Sequence, residues 1–288
     1  MATPEAWSHW PAPAKLNLFL HVVGRRPDGY HELQTVFRLL DFGDEIALRV
    51  RSDGRIERLA GVPGVEPEAD LAVRAARALQ VASATPLGAD IAVTKRIPAG
   101  GGMGGGSSDA ATVLCALDRL WGCGLGTHRL AAIGLSLGAD VPVFVHGRTA
   151  WAEGVGERLV PLDLPPQVYL VLDPGAQVAT GPVFQAPELT RDTPRITIRG
   201  FLDGDSTRND LEPVVRLRHP AVDAALIWLG RIAPARLTGS GACVFAAMPD
   251  RAAAERAAAT CPPPWRAIVA SSCDRSGLLE RLAPGAAD

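Results

Sequence analysis

The sequence predicts a mixed α+β fold of two domains, and three observations lead there. Strand-like and helix-like stretches mix along the chain without the strict βαβ alternation of a doubly wound sheet. A length of 288 residues is two domains' worth at roughly 100–200 residues per domain. The chain becomes Pro-rich around residues 156–166, which sets the expected boundary, with domains 1–157 and 158–288.

Taken in order, residues 15–22 alternate, with Leu16, Leu18, Leu20 and Val22 on one side, the pattern of a half-buried strand. The same period of two puts Lys15 and Asn17 together on the other face. Arg26-Pro27-Asp28-Gly29 is a turn in which Pro presets φ and Gly supplies the exit. A strand-like run over 30–40 then makes the N-terminus a hairpin. Residues 68–82 carry helical spacing and 89–94 read as a strand. After a glycine-rich loop, Ala110, Val113, Leu114, Leu117, Leu120 and Trp121 recur at helical spacing until Gly122. A further helix covers about 129–137, strand-like pieces follow at 141–145 and 168–172, and the Gly-punctuated 151–157 between them reads as turns. Beyond a polar stretch at 190–210 come a helix near 221–232, the turn Thr238-Gly239-Ser240-Gly241, a strand at 243–246 and an Ala-rich helix at 250–259. No internal repeat is visible.

Composition works mostly by exclusion. Basic and acidic residues nearly balance, 29 against 31, which argues against a general nucleic-acid binder. Gly 30 and Pro 24 in 288 residues stay below the roughly 25–30% of low-complexity chains. Five cysteines with no C-x-x-C pair argue against a disulfide framework and against a zinc site. No apolar run reaches the roughly 18 residues of a membrane span, and no signal peptide is apparent. A cytoplasmic protein is expected, a monomer or weak homodimer. One bias is informative: only Lys15 and Lys95 among the 29 basic residues are lysines. Where any cation serves, this chain uses Arg, so a surviving Lys marks a place that needs a compact ammonium.

The strongest local signal is Gly100-Gly101-Gly102-Met103-Gly104-Gly105-Gly106-Ser107-Ser108-Asp109. A strand, a glycine-rich loop and a helix N-terminus together form an anion site, because unpaired N–H groups and the helix dipole both favour negative charge. Six glycines in seven positions let the backbone approach a phosphate chain, and Ser107 and Ser108 can cap the helix or hold a phosphate or its metal ion. A bare linker would not sit between a clean strand and a strongly periodic helix. No G-K-[ST] closes a Walker A loop. The dinucleotide reading fails because the acid about 20 residues on, Asp118, lies within the helix. No H-R-D catalytic loop is present, and the single D-F-G, Asp41-Phe42-Gly43, stands ahead of the glycine-rich loop instead of after it, which argues against a protein kinase.

Asp140 sits among apolar residues in Gly138-Ala139-Asp140-Val141-Pro142-Val143-Phe144. By itself it reads as a turn or capping Asp. Beside Lys15 it could instead accept a proton from a substrate hydroxyl while the cation steadies a transferring phosphoryl group. Tyr30 and His31 suit base stacking and hydrogen bonding about as well as they suit ordinary strand packing. Cys243 reads as a small buried apolar residue, and the other histidines show no metal-ligand spacing.

Three stretches together resemble the motifs of the GHMP small-molecule kinases: Pro13-Ala14-Lys15-Leu16-Asn17-Leu18, residues 98–111, and Leu237-Thr238-Gly239-Ser240-Gly241-Ala242-Cys243. Residues 26–31, 138–144, 153–157 and 209–213 narrow the resemblance to a branch that acts on a cytidine-diphosphate-linked methylerythritol. The likeness covers about residues 11–246. It implies a two-domain GHMP kinase fold with the active site in the interdomain cleft, with ATP giving its γ-phosphate to a substrate hydroxyl in the presence of Mg²⁺. Carried over by matching position, Asp140 is the general base and Lys15 its cationic partner. The ATP phosphates fall to Pro98, Gly100, Gly101, Gly102, Met103, Gly104, Gly105, Gly106, Ser107 and Ser108. Substrate contacts fall to Asn17, Tyr30, His31, Thr180 and Phe184, the last two on a looser match. Lys95 is a candidate nucleotide contact, and no direct metal ligand is assigned beyond Ser107 or Ser108. Homoserine- and mevalonate-type GHMP kinases are the nearest rivals, against which Tyr30-His31 and the run 138–144 speak. A non-catalytic nucleic-acid-binding protein of similar topology is opposed by the acidic balance and by the Lys15/Asp140 pair.

Overall fold

A computed structural model describes residues 6–60 and 64–283. Two long strands, β1 (Ser8–Arg25) and β2 (His31–Arg51), form the antiparallel hairpin from which everything else hangs. β3 (Ile56–Ala60), α1 (Leu71–Ser83) and β4 (Gly88–Thr94) follow, β3 and β4 pairing in parallel. Three helices come next: α2 (Gly105–Trp121), α3 (Thr127–Leu137) and α4 (Val141–His146). The hairpin β5 (Ala150–Gly154) and β6 (Arg158–Pro161) leads on to β7 (Val168–Asp173). Short helices α5 (Thr180–Phe184), α6 (Ile198–Leu202) and α7 (Glu212–Arg218) precede α8 (Pro220–Gly230). The chain ends on β8 (Ala235–Leu237), β9 (Val244–Met248), α9 (Arg251–Ala258), β10 (Arg266–Cys273) and α10 (Gly277–Arg281). The strand order is β3-β4-β2-β10-β7-β9-β8, with β1 and β5 also on β2. All pairings between the named strands except β3–β4 are antiparallel, as the α+β expectation requires. Among the described residues no helix is long and apolar enough to cross a membrane.

Two large cores form on either side of a seam. The first packs α1, α2 and α4 against β1, β2, β4 and β5. The second gathers α7, α8, β7 and β9, and takes Leu20 and Val22 from β1. Between them Ala14, Leu16, Leu40, Met103, Cys243, Phe245 and Ile268 make a smaller cluster that joins the two halves. Met103, from the middle of the glycine loop, is part of that cluster, so the loop is tied down by an apolar anchor.

Three sequence expectations need correction. β1 is buried on both faces, not one: its register on β2 shifts between Asn17 and Leu20, so Leu16 enters the seam while Phe19 turns to Val36 and Trp151. Residues 141–145 are a helix, not a strand. Pro142 sits in its first turn and Gly147, at φ 61°, ends it; all five residues are buried, and an apolar run without polar interruptions has no period to read. Residues 150–154 are a strand pairing β2 and β6; only 155–157 turn, with Gly154 and Gly156 at positive φ.

Arg38 of β2 is the seam's polar strut, almost fully buried. It donates to Asp274 Oδ1 (2.5 Å), Ser272 Oγ (2.7 Å) and the carbonyls of Leu164 (3.2 Å) and Pro165 (2.7 Å). One cation thus joins β2, β10 and the connection leading into β7. Arg38→Leu leaves these acceptors without their donor, and urea unfolding should show about 2–4 kcal/mol of lost stability. An unchanged midpoint would show that water replaces the guanidinium without loss.

Candidate active site

Lys15 lies on β1 with its side chain almost fully buried. Its ammonium is 3.2 Å from Asp140 Oδ2 and donates to Asn17 Oδ1 (2.5 Å) and to the Gly102 carbonyl (3.0 Å). The Phe37 ring lies 5.3 Å from it. The backbone N–H of Lys15 donates to Met103 O at 3.1 Å, so the residue grips the glycine loop at two successive carbonyls. The predicted common face of Lys15 and Asn17 is realised as a direct hydrogen bond. Asp140 is the residue before α4, makes no side-chain cap bond, and its side chain is 33% exposed. It therefore keeps oxygen surface toward open space while one oxygen faces the ammonium.

The loop itself is shaped by close approach. Gly102 has φ +72°, and a Cβ there would stand 2.1 Å from the Thr238 carbonyl; at Gly104, φ +76°, it would meet the Phe144 ring at 2.8 Å. The turn 238–241 and the residues after it hold the loop from outside. Ala242 N–H donates to Gly100 O (3.0 Å), Cys243 N–H to Gly101 O (3.1 Å) and Thr238 Oγ1 to Gly102 O (3.3 Å). α2 starts directly from the loop with no acidic residue in its first turn. Its unpaired N–H groups and dipole are thus free to attract an anion.

A cavity of about 640 Å³ opens between the loop, β1, the start of α4 and the segment 178–184. Lys15, Asn17, Asp140, Pro98, residues 100–107, Thr180 and Phe184 line it, as does Lys95. Asn17 lies on the wall with both ends of its amide engaged, Oδ1 by Lys15 and Nδ2 by Thr35 Oγ1 (2.9 Å). Thr180 Oγ1 and Ser240 Oγ are 2.7 Å apart. Four expected contacts are placed differently from the expectation. Ser108 is wholly buried and donates to Pro13 O (2.6 Å), so its side chain faces away from the cavity. Met103 sends its side chain into the seam and offers the cavity backbone only. Tyr30 is 64% exposed at the hairpin tip and outside the lining; His31 stands behind Phe184, ring centroids 5.1 Å apart.

Residues 70–148 match the GHMP kinases N terminal domain and 198–263 match the GHMP kinases C terminal domain. The 4-diphosphocytidyl-2-C-methyl-D-erythritol kinase of Alkalilimnicola ehrlichii is 59% identical over 278 residues, covering 96% of this chain and 95% of that protein. The chain belongs to this family of GHMP kinases. A crystal structure of 4-(cytidine 5'-diphospho)-2C-methyl-D-erythritol kinase superposes with a TM-score of 0.80 at 36% identity, over 92% of this chain and 99% of that one. Homoserine kinase from Cytophaga hutchinsonii (TM-score 0.66, 15% identity, 96% and 98% coverage) shares the fold. As a GHMP kinase the protein is a phosphotransferase that takes ATP as phosphate donor.

Some site residues of this GHMP kinase escape sequence reasoning. Thr35 and Phe37 are ordinary strand residues of β2 until β1 is laid beside them, and Ser240 reads only as part of a turn. Lys95, by contrast, is now placed. Its ammonium is bound by Asp44 and by Asp109 Oδ2 (2.7 Å), directly under Gly105. Against the pull of burial, Asp109 and Asp44 hold the Lys95 ammonium above its ordinary pKa. Burial pushes Asp109 up to about 7, with Lys95 pulling down and Asp44 adding to the rise.

An unfolded Asp titrates near roughly 4, so between about pH 4 and 7 the folded protein holds a proton that the unfolded chain has released. This group's contribution to stability is therefore complete below about pH 4 and declines as pH rises toward 7. Melting temperatures at pH 5 and pH 8 should fall more for the native protein than for Asp109→Asn. Parallel curves for the two proteins would mean that Asp109 stays ionised throughout.

Proposed function

We propose that the protein transfers the γ-phosphate of ATP to the 2-hydroxyl of 4-diphosphocytidyl-2-C-methyl-D-erythritol, a step of the non-mevalonate route to isoprenoid precursors. The observation that carries this reading is the Lys15–Asp140 pair, 3.2 Å apart, at the lip of a glycine-lined cavity in a chain 59% identical to a kinase named for that substrate. Asp140 takes the hydroxyl proton, with one oxygen held toward Lys15 and exposed surface left for the substrate. Lys15, anchored by Asn17 and the Gly102 carbonyl, orients the carboxylate and steadies the charge that shifts during transfer. The loop 98–107 and the start of α2 hold the phosphates through backbone N–H groups, which cost nothing to reorient because the turn 238–243 already fixes them. Thr180, Ser240 and Phe184 support substrate placement from the second half. The cytosine falls to His31, Phe184 and Tyr30.

Mg²⁺ is part of the proposal, and the donor chemistry fits it. The Ser107 hydroxyl and the Asp140 carboxylate are hard oxygen donors beside the loop. A cation that keeps several waters and binds mainly through phosphates needs no larger protein cage. When bound it neutralises charge on the phosphates. The division at 157/158 into an ATP-binding and a substrate-binding domain also belongs to the proposal, supported by the N-terminal and C-terminal domain matches at 70–148 and 198–263, which fall on either side of it. A reducing, cytoplasmic setting is supported by five unpaired cysteines.

ADP release from MgATP, followed in parallel with the cytidine-linked substrate, homoserine and mevalonate, tests the assignment: turnover with the first alone is expected, and none with it refutes the reading. Asp140→Asn should lower kcat by about 10²–10⁴-fold while ATP binding persists; near-native turnover removes Asp140 from the mechanism. Lys15→Arg keeps the charge but not its shape, and should also lose most of its activity.

A further inference from the structure

His31 and Phe184 come from distant parts of the chain, yet one guanidinium holds both. Arg191 donates Nε–H to His31 Nε2 (3.2 Å) and Nη2–H to the carbonyls of Phe184 (3.0 Å) and Ala186 (2.7 Å). Its Nη1 donates to Leu189 O at 3.0 Å. Among the described residues it makes no ion pair, so its charge is spent on carbonyls at the end of α5 and on one imidazole. The His31 and Phe184 rings stack at 5.1 Å with a 31° tilt.

A guanidinium only donates and does not lose its proton. His31 Nε2 must therefore accept, which leaves the ring proton on Nδ1. We propose that Arg191 is a positioning residue for substrate recognition: it locks His31 in the Nδ1–H tautomer and fixes it as one unit with Phe184, the ring of the pair that lines the cavity. The inference rests on the reading above, in which this pair receives cytosine. A fixed N–H donor there suits a base edge that carries ring-nitrogen and carbonyl acceptors. A protonated His31 would carry a hydrogen on Nε2 as well, and would clash with the Arg191 donor. Burial first, then Arg191 and Arg25, keep the imidazole pKa below its ordinary value, in line with that arrangement. Arg191 also fastens the last turn of α5, whose first residue is Thr180, so one side chain governs several contacts on that wall.

The test has a structural and a kinetic arm. In the unliganded native protein, ¹⁵N–¹H NMR of the His31 imidazole should show an unprotonated Nε2 and a protonated Nδ1; the opposite tautomer overturns the proposal whatever the substrate. Arg191→Gln should raise KM for the cytidine-linked substrate about tenfold while kcat and KM for ATP stay within about twofold, since a hydrogen bond from a charged donor is lost only on the substrate side. The acid limb of its kcat/KM profile should move to higher pH as the His31 pKa rises. Arg191→Lys, which keeps the charge without the fork, should recover the pH profile but not the KM, and covers the case in which the Gln variant fails to fold. An unchanged substrate KM in Arg191→Gln overturns the proposal. His31→Ala tells the two failures apart. If it raises substrate KM while Arg191→Gln does not, only the positioning role is lost; if neither variant moves KM, the base site itself is wrongly placed.

Discussion

A buried ammonium is the constraint from which the rest of the site follows. Taking a charge out of water is costly unless every one of its donors finds an acceptor. Lys15 finds its three in Asn17, the Gly102 carbonyl and Asp140, which come from β1, the glycine loop and the start of α4. No one of these segments could satisfy it alone. The requirement that they all reach the same nitrogen sets the depth of the loop and the placing of α4. It also determines which oxygen of Asp140 faces the ammonium and leaves the other to the cavity. The Asp140 carboxylate is thus oriented by the same contact that gives the ammonium its counter-charge.

The glycine loop is rigid although its composition suggests the opposite. Its carbonyls at Gly100, Gly101, Gly102 and Met103 are all engaged, by Ala242, Cys243, Thr238 and Lys15. With the carbonyls turned inward to these donors, the remaining backbone faces the cavity. Met103 supplies the one side chain the loop needs and sinks it into the seam cluster with Leu16, Cys243 and Phe245. Burial of Cys243 pushes its thiol far above the ordinary range, so it acts there as a small apolar contact. The seam therefore has two tasks, joining the halves and forming the floor of the site.

Much of this is legible in the sequence, and what is not has identifiable causes. The alternation around Lys15 and Asn17 located their shared face because a period of two holds up to the bulge that follows Asn17. Leu20 and Val22 lie beyond that bulge, and the expected one-sided burial fails there. The run 141–145 carries no polar residue to mark a period, so helix and strand are indistinguishable until tertiary packing decides. Ser108 shows a different limit. Adjacent serines at a helix start look equivalent in sequence, but on a helix they point about 100° apart, and only Ser107 faces the cavity. Arg191, in a polar stretch with no motif of its own, gains meaning only from the two rings it joins.

The chain's near-absence of lysine closes the argument. Its two lysines sit under adjacent glycines of one loop: a Cβ on Gly104 would stand 3.2 Å from Lys15 Cε, and one on Gly105 would stand 3.2 Å from Lys95 Nζ. Both ammonium groups contact carboxylates, Lys15 with Asp140 and Lys95 with Asp44 and Asp109. A guanidinium is a broad planar fork whose five donors need acceptors spread over a wider front. Arg38 has that room, reaching two carbonyls, a hydroxyl and a carboxylate across the seam; Arg191 has it at the end of α5. Beneath the glycine loop both lysine side chains pack close against the backbone, and there a compact charge fits better than a fork. The two lysines that the chain keeps thus stand where the loop leaves least room, one beside Asp140 and one at the base of α2.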